Sequence, residues 1–81
     1  MANVTVSTTA LKNIGWNIDP QDEGCYLEIH WGATGRVRAM RPDVDGGDWI
    51  NSYMIDWNKW LEEDLPALKE ANELENENYA V

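Results

Sequence analysis

The stretch "DVDGGDWI" places Asp43, Asp45 and Asp48 around Gly46 and Gly47, residue types that can bind calcium, cradle a phosphate or start a helix. An EF-hand loop needs oxygen ligands at its first, third and fifth positions, glycine at the sixth and glutamate at the twelfth. Counted from Asp43, the fifth, sixth and twelfth residues are Gly47, Asp48 and Met54, so the pattern fails at three places. Three carboxylates would also repel the anion that a glycine loop otherwise attracts. What remains is a turn through Gly46-Gly47 with Asp48 as helix N-cap, and no metal site is expected.

Catalytic groups are equally sparse. His30 is the one histidine; Glu28 lies two residues away on the same side of a strand, but the one cysteine, Cys25, is expected to point to the opposite face and cannot serve as its nucleophile. Glu62 and Glu63 sit on a helix surface where nothing would split their pKa values for acid–base work. No enzyme, catalytic residue or cofactor is read from this sequence.

The elements that position these residues follow from periodicity. Cys25, Leu27, Ile29 and Trp31 alternate with Tyr26, Glu28 and His30; "GATG" interrupts; then Val37 and Ala39 alternate with Arg36, Arg38 and Met40. This predicts a β-hairpin with the first set and Val37 and Ala39 facing the core, ended by Arg41-Pro42. Ile14, Trp16 and Ile18 predict a strand near Asn13 to Asp19, preceded by an extended N-terminal arm, although "TTALKN" could also form one helical turn. Trp49, Ile50, Tyr53, Met54, Trp57, Trp60 and Leu61 recur as one helical stripe, predicting a long amphipathic helix from Asp48 to Glu63. Pro66 then begins a short acidic helix capped by Asp64, expected to fray beyond Glu75. The fold class is therefore α+β: a three-stranded antiparallel sheet on one long helix, in a single domain spanning 1–81, mainly β in 1–42 and mainly α in 43–81.

Charge is distributed unevenly. Residues 1–42 carry four acids and four strongly basic residues, whereas 43–81 carry eleven acids against Lys59 and Lys69, which accounts for the whole net charge of -9. Such a field repels nucleic acid and membranes and attracts basic partners. One cysteine allows no internal disulfide, and no apolar run approaches the ~18–20 residues of a membrane span, so a soluble cytoplasmic protein is expected. An apolar content of 43% argues against disorder despite the charge.

Two surfaces carry functional expectations. Asp56, Glu62, Glu63, Asp64, Glu70, Glu73, Glu75 and Glu77 form an acidic strip whose carboxylates can imitate the phosphates of duplex DNA and occupy a basic channel. Tyr26, His30, Arg36, Arg38 and Arg41 form an alternative face that could stack on and neutralise single-stranded nucleic acid, a reading the net charge opposes.

In its size, its charge layout and the segment "NKWLEEDLPALKEANELENEN", the chain resembles small acidic anti-defence inhibitors of phages and mobile elements, such as anti-CRISPR proteins and DNA mimics. The resemblance implies a non-enzymatic inhibitor that binds the basic surface of a nucleic-acid-handling complex, a CRISPR effector for example, and blocks DNA access or nuclease recruitment. It would act in the cytoplasm of the host bacterium, with tryptophans left over from the core as anchors. The alternative from another class is an assembly protein that associates with itself through a sheet edge or its tryptophan-rich helix.

Overall fold

The chain opens as a strand because Ala2, Val4 and Val6 alternate with Asn3, Thr5 and Ser7, and β-branched residues suit a pleated surface buried on one side. This is β1 (Ala2–Ser7) in a computed structural model that describes residues 2–32, 35–42 and 49–79, with 76–79 described by backbone alone. The Asp48 cap and the Gly46-Gly47 turn lie outside the described residues. Ser7 ends the strand and caps α1 (Thr8–Asn13), its hydroxyl accepting from the Ala10 amide at 3.1 Å. Both readings of the N-terminus, extended arm and helical turn, are therefore realised in succession.

The strand expected at Asn13 to Asp19 is absent. The amides of Ile14, Gly15 and Trp16 turn back to Leu11 and Lys12, closing α1, and Gly15 takes a φ of 104° that an L residue rarely adopts. Those amides are spent on the helix end, so none is left for a ladder. Ile18 still reaches the core, from irregular backbone. A single 3-10 turn, Pro20–Asp22, then leads to β2 (Tyr26–Trp31) and β3 (Val37–Met40).

The hairpin is paired as its alternation requires, with Ile29 opposite Ala39 and Trp31 opposite Val37. Leu27, Ile29, Trp31, Val37 and Ala39 are buried, and the Gly32 and Gly35 φ angles of 131° and 68° make the turn. Cys25 departs from the expected pattern: it precedes the strand and its thiol is exposed. Its backbone is instead stitched to the start of α1, the Thr8 amide donating to the Cys25 carbonyl at 2.9 Å and the Cys25 amide to the Thr8 hydroxyl at 3.3 Å.

The helix from Asp48 is also corrected. Trp49–Ile50 is a two-residue strand, β4, with Trp49 opposite Met40 and Ile50 opposite Ala39. Adjacent strand residues point to opposite faces, so two side chains that fit a helical stripe are divided between the sides of a sheet. The helix begins only after Asp56, whose carboxylate accepts from the Lys59 amide at 2.8 Å. It comprises α2 (Trp57–Lys59), a π turn (Trp60–Asp64) and α3 (Leu65–Glu70), a continuous 14 residues.

Pro66 does not separate two helices. Proline lacks the amide that would bond four residues back, and its ring crowds that carbonyl; the π turn, closed by the Leu65 amide on the Trp60 carbonyl, accommodates both. Asp64 therefore lies inside the helix and caps nothing. The helix ends in a Schellman closure: Asn72 adopts φ 57°, its amide bonds the Lys69 carbonyl, and the Glu73 amide bonds the Leu68 carbonyl.

After that reversal the chain forms β5 (Leu74–Tyr79) where a fraying tail was expected. It pairs antiparallel with β1, Val6 opposite Leu74 and Thr5 opposite Asn76, so Glu75 is the extra residue of a bulge. Among the described residues the sheet thus has five strands, not three, all antiparallel in the order β4-β3-β2-β1-β5. Its inner face packs Val4, Val6, Leu27 and Ile29 against Leu11, Trp60, Leu65 and Leu68. Trp60, fully buried, meets Trp16 and Trp31 edge-on at 6.2 and 5.4 Å. Its indole N–H has no hydrogen-bond partner among the described residues, a cost accepted for the packing.

Candidate functional site

The acidic strip divides into exposed and internal members. Glu62 and Glu63 in the π turn, Glu70 at the end of α3, Glu73 in the reversal and Glu75 in β5 are exposed and have no ion-pair partner among the described residues. The strip therefore runs from the helix, round the Asn72 turn, onto the sheet edge. Asp56 is exposed but engaged as the helix cap. Asp64 leaves the set: it is buried, accepting from the Trp16 indole N–H at 3.2 Å and from Lys59 Nζ at 3.0 and 3.3 Å. The backbone of Glu77 lies in β5 opposite Val4.

By contrast, each acid of the first half has a polar partner. Glu23 pairs with Lys12 at 3.0 Å, Glu28 with His30 at 2.9 Å and Asp22 with Arg41 at 2.8 Å, and Asp19 accepts from the Ser52 hydroxyl at 3.1 Å. Asp22 and Glu23 thus meet a permanent cation and Glu28 a histidine, whereas Asp19 has only a neutral donor and keeps its charge.

The alternative nucleic-acid face is dispersed. Tyr26, His30 and Arg38 do share the sheet face away from the helices, and Trp49 joins them, its ring 5.2 Å from the His30 ring at 90° and 4.7 Å below the Arg38 guanidinium. Arg41, however, is drawn to the fully buried Asp22. Arg36 precedes β3 and lines a separate cleft with Arg38 and Trp57. The contribution of Trp49 to the sheet's outer face was not legible in a sequence where it matched a helical stripe.

Asp22 anchors a network that no spacing signalled. It accepts from Arg41 and, at 2.7 Å, from the Tyr53 hydroxyl, which itself accepts from the Asp19 amide at 2.9 Å. Burial, and then the hydrogen bond to Asp22, raise the Tyr53 pKa from 10.0 to about 12, so the phenol stays protonated and donating.

Tyr53 is also one wall of a cleft of about 340 Å³. Trp16 stands beside it, ring centroids 5.9 Å apart at 42°, and Asp19, Asp56, Asp64, Lys59 and Met54 complete the outline. Met54 is 95% exposed and Tyr26 46%; all five tryptophans are at least partly buried, so the exposed apolar anchors are not the tryptophans that composition suggested.

Among the described residues, no three His, Cys, Asp or Glu side chains come together as a metal site, and no helix is long and apolar enough to cross a membrane. Comparison with protein-family models, curated proteins and solved structures returns no significant match.

Proposed function

We propose that this protein is a non-enzymatic inhibitor of the anti-CRISPR-like or DNA-mimic type. Its acidic surface binds a basic, nucleic-acid-contacting surface of a protein complex in the bacterial cytoplasm. The observation that carries this reading is the segregation of unpaired charge. Glu62, Glu63, Glu70, Glu73 and Glu75 stay exposed without ion-pair partners among the described residues, while three of the four acids of the first half, Asp22, Glu23 and Glu28, each pair with a basic side chain. Acids needed only for solubility could be scattered through the chain; here the exposed ones are gathered on one stretch, from the π turn through the end of α3 to the start of β5, and present repeated negative charge to a basic partner.

The test is affinity capture from bacterial lysates expressing CRISPR effector complexes, with DNA as competitor, comparing wild type with Glu62→Lys/Glu63→Lys/Glu70→Lys. The wild type is expected to retain an effector that DNA displaces, and the variant to lose it while keeping its circular dichroism spectrum. Retention by the folded variant would remove this surface from the proposal. A second reading, self-association, is favoured by the β5 edge, which pairs with no second strand among the described residues. Capture of the protein alone, with a dimer in sedimentation equilibrium, would select it.

A further inference from the structure

We infer that the cleft lined by Trp16 and, beside it, Tyr53 receives an arginine side chain of the partner, an assignment that rests on the proposed basic partner and is argued from the cleft's own chemistry. The aromatic wall is fixed before any ligand arrives. Trp16 is held by its indole N–H on Asp64, and Tyr53 by its hydroxyl between Asp22 and the Asp19 amide. Rings pinned in this way lose little freedom on binding, which favours affinity.

The charge in the cleft has one sign. Among the described residues Lys59 is the only cation of the lining, and its ammonium rests on both oxygens of Asp64, so the two neutralise each other. That leaves Asp19 and Asp56. Asp19 accepts from Ser52 through one oxygen and Asp56 accepts from the Lys59 amide through one oxygen; the second oxygen of each has no partner among the described residues. Two carboxylates with acceptor capacity beside indole and phenol rings exclude an anion and suit a planar cation that can stack and donate at once. Guanidinium does both and is more weakly hydrated than an ammonium, so arginine is preferred over lysine. Met54 at the rim, almost wholly exposed, supplies the apolar contact for the aliphatic part of such a side chain.

The experiment uses ¹⁵N-labelled wild-type protein titrated with N-acetyl-arginine amide and, separately, with the neutral isostere N-acetyl-citrulline amide. Signals to follow are the Trp16 indole N–H and the Asp19 and Ser52 amides. Saturable shifts in the millimolar range are expected with arginine, at least about tenfold weaker with citrulline. Asp19→Asn/Asp56→Asn, which keeps a capping side chain at position 56, should abolish the difference. Equal responses to both compounds, or no saturable shift at these resonances, would overturn the assignment. Arginine binding alongside intact partner capture by the glutamate-reversal variant would refute the acidic surface and leave the cleft standing; the opposite pair of results would refute the cleft alone.

Discussion

Asp22 shows how much a single buried carboxylate organises. It is fully buried, yet its charge is met by Arg41 at 2.8 Å and by the Tyr53 hydroxyl at 2.7 Å, joining the 3-10 turn, the end of β3 and the loop before α2. Nothing in the spacing of residues 22, 41 and 53 announces this, because the three meet only after the sheet forms. The consequence is a defined alkaline response. Tyr53 titrates near 12 in the folded protein against 10.0 unfolded, so its contribution to stability is complete below pH 10.0 and is lost as pH rises through about 12. Tyr53→Phe is expected to cost about 1–2 kcal/mol at neutral pH, where Asp22 loses a donor and the Asp19 amide an acceptor. It should also flatten the alkaline fall in urea midpoint relative to wild type. An alkaline limb that is the same in both proteins would contradict the raised pKa.

At the scale of elements, β5 is the main lesson. "ELENEN" has poor strand propensity and alternates glutamate with asparagine, so local preference gives no reason to leave the helical or coil state. The Schellman reversal at Asn72 delivers the segment to the free edge of β1, and backbone pairing there overrides propensity. β5 therefore shields the backbone edge of β1, whose Val4 and Val6 are fully buried. Deleting residues 74–81 is expected to lower stability by about 2–4 kcal/mol, the scale of a handful of net hydrogen bonds, and to promote association through the bared β1 edge. Chemical denaturation and size-exclusion chromatography read the two effects. A truncated protein as stable and as monodisperse as the full chain would mean that β5 contributes nothing to the fold.

For the whole molecule, the free glutamates matter through distance. Its extents are 31 × 28 × 21 Å, comparable with a Debye length of ~30 Å at 0.01 M salt and well beyond the ~8 Å at 0.15 M. At low salt the unpaired acids repel one another across much of the molecule; at physiological salt only neighbours do. Melting temperature is accordingly expected to rise with sodium chloride across this range, and Glu62→Gln/Glu63→Gln to weaken the dependence. A melting temperature that falls with salt would indicate that the ion pairs Lys12–Glu23, Arg41–Asp22 and Lys59–Asp64 outweigh the free charge.

The sequence alone determined the β2–β3 hairpin, its inner residues apart from Cys25, the apolar helical face from Trp57 onward and the concentration of negative charge in the second half. Each depends on a local period or on a simple count, which neighbouring residues are enough to express. Only the tertiary structure decided that Trp49 and Ile50 pair with β3 instead of opening the helix, that β5 closes the sheet, that Arg41 pairs with the buried Asp22, and that Asp64 is buried while Glu62 and Glu63 face solvent. Those outcomes depend on which free sheet edge or buried opposite charge lies within reach once the chain has collapsed. Such long-range pairings leave no periodic trace in the chain.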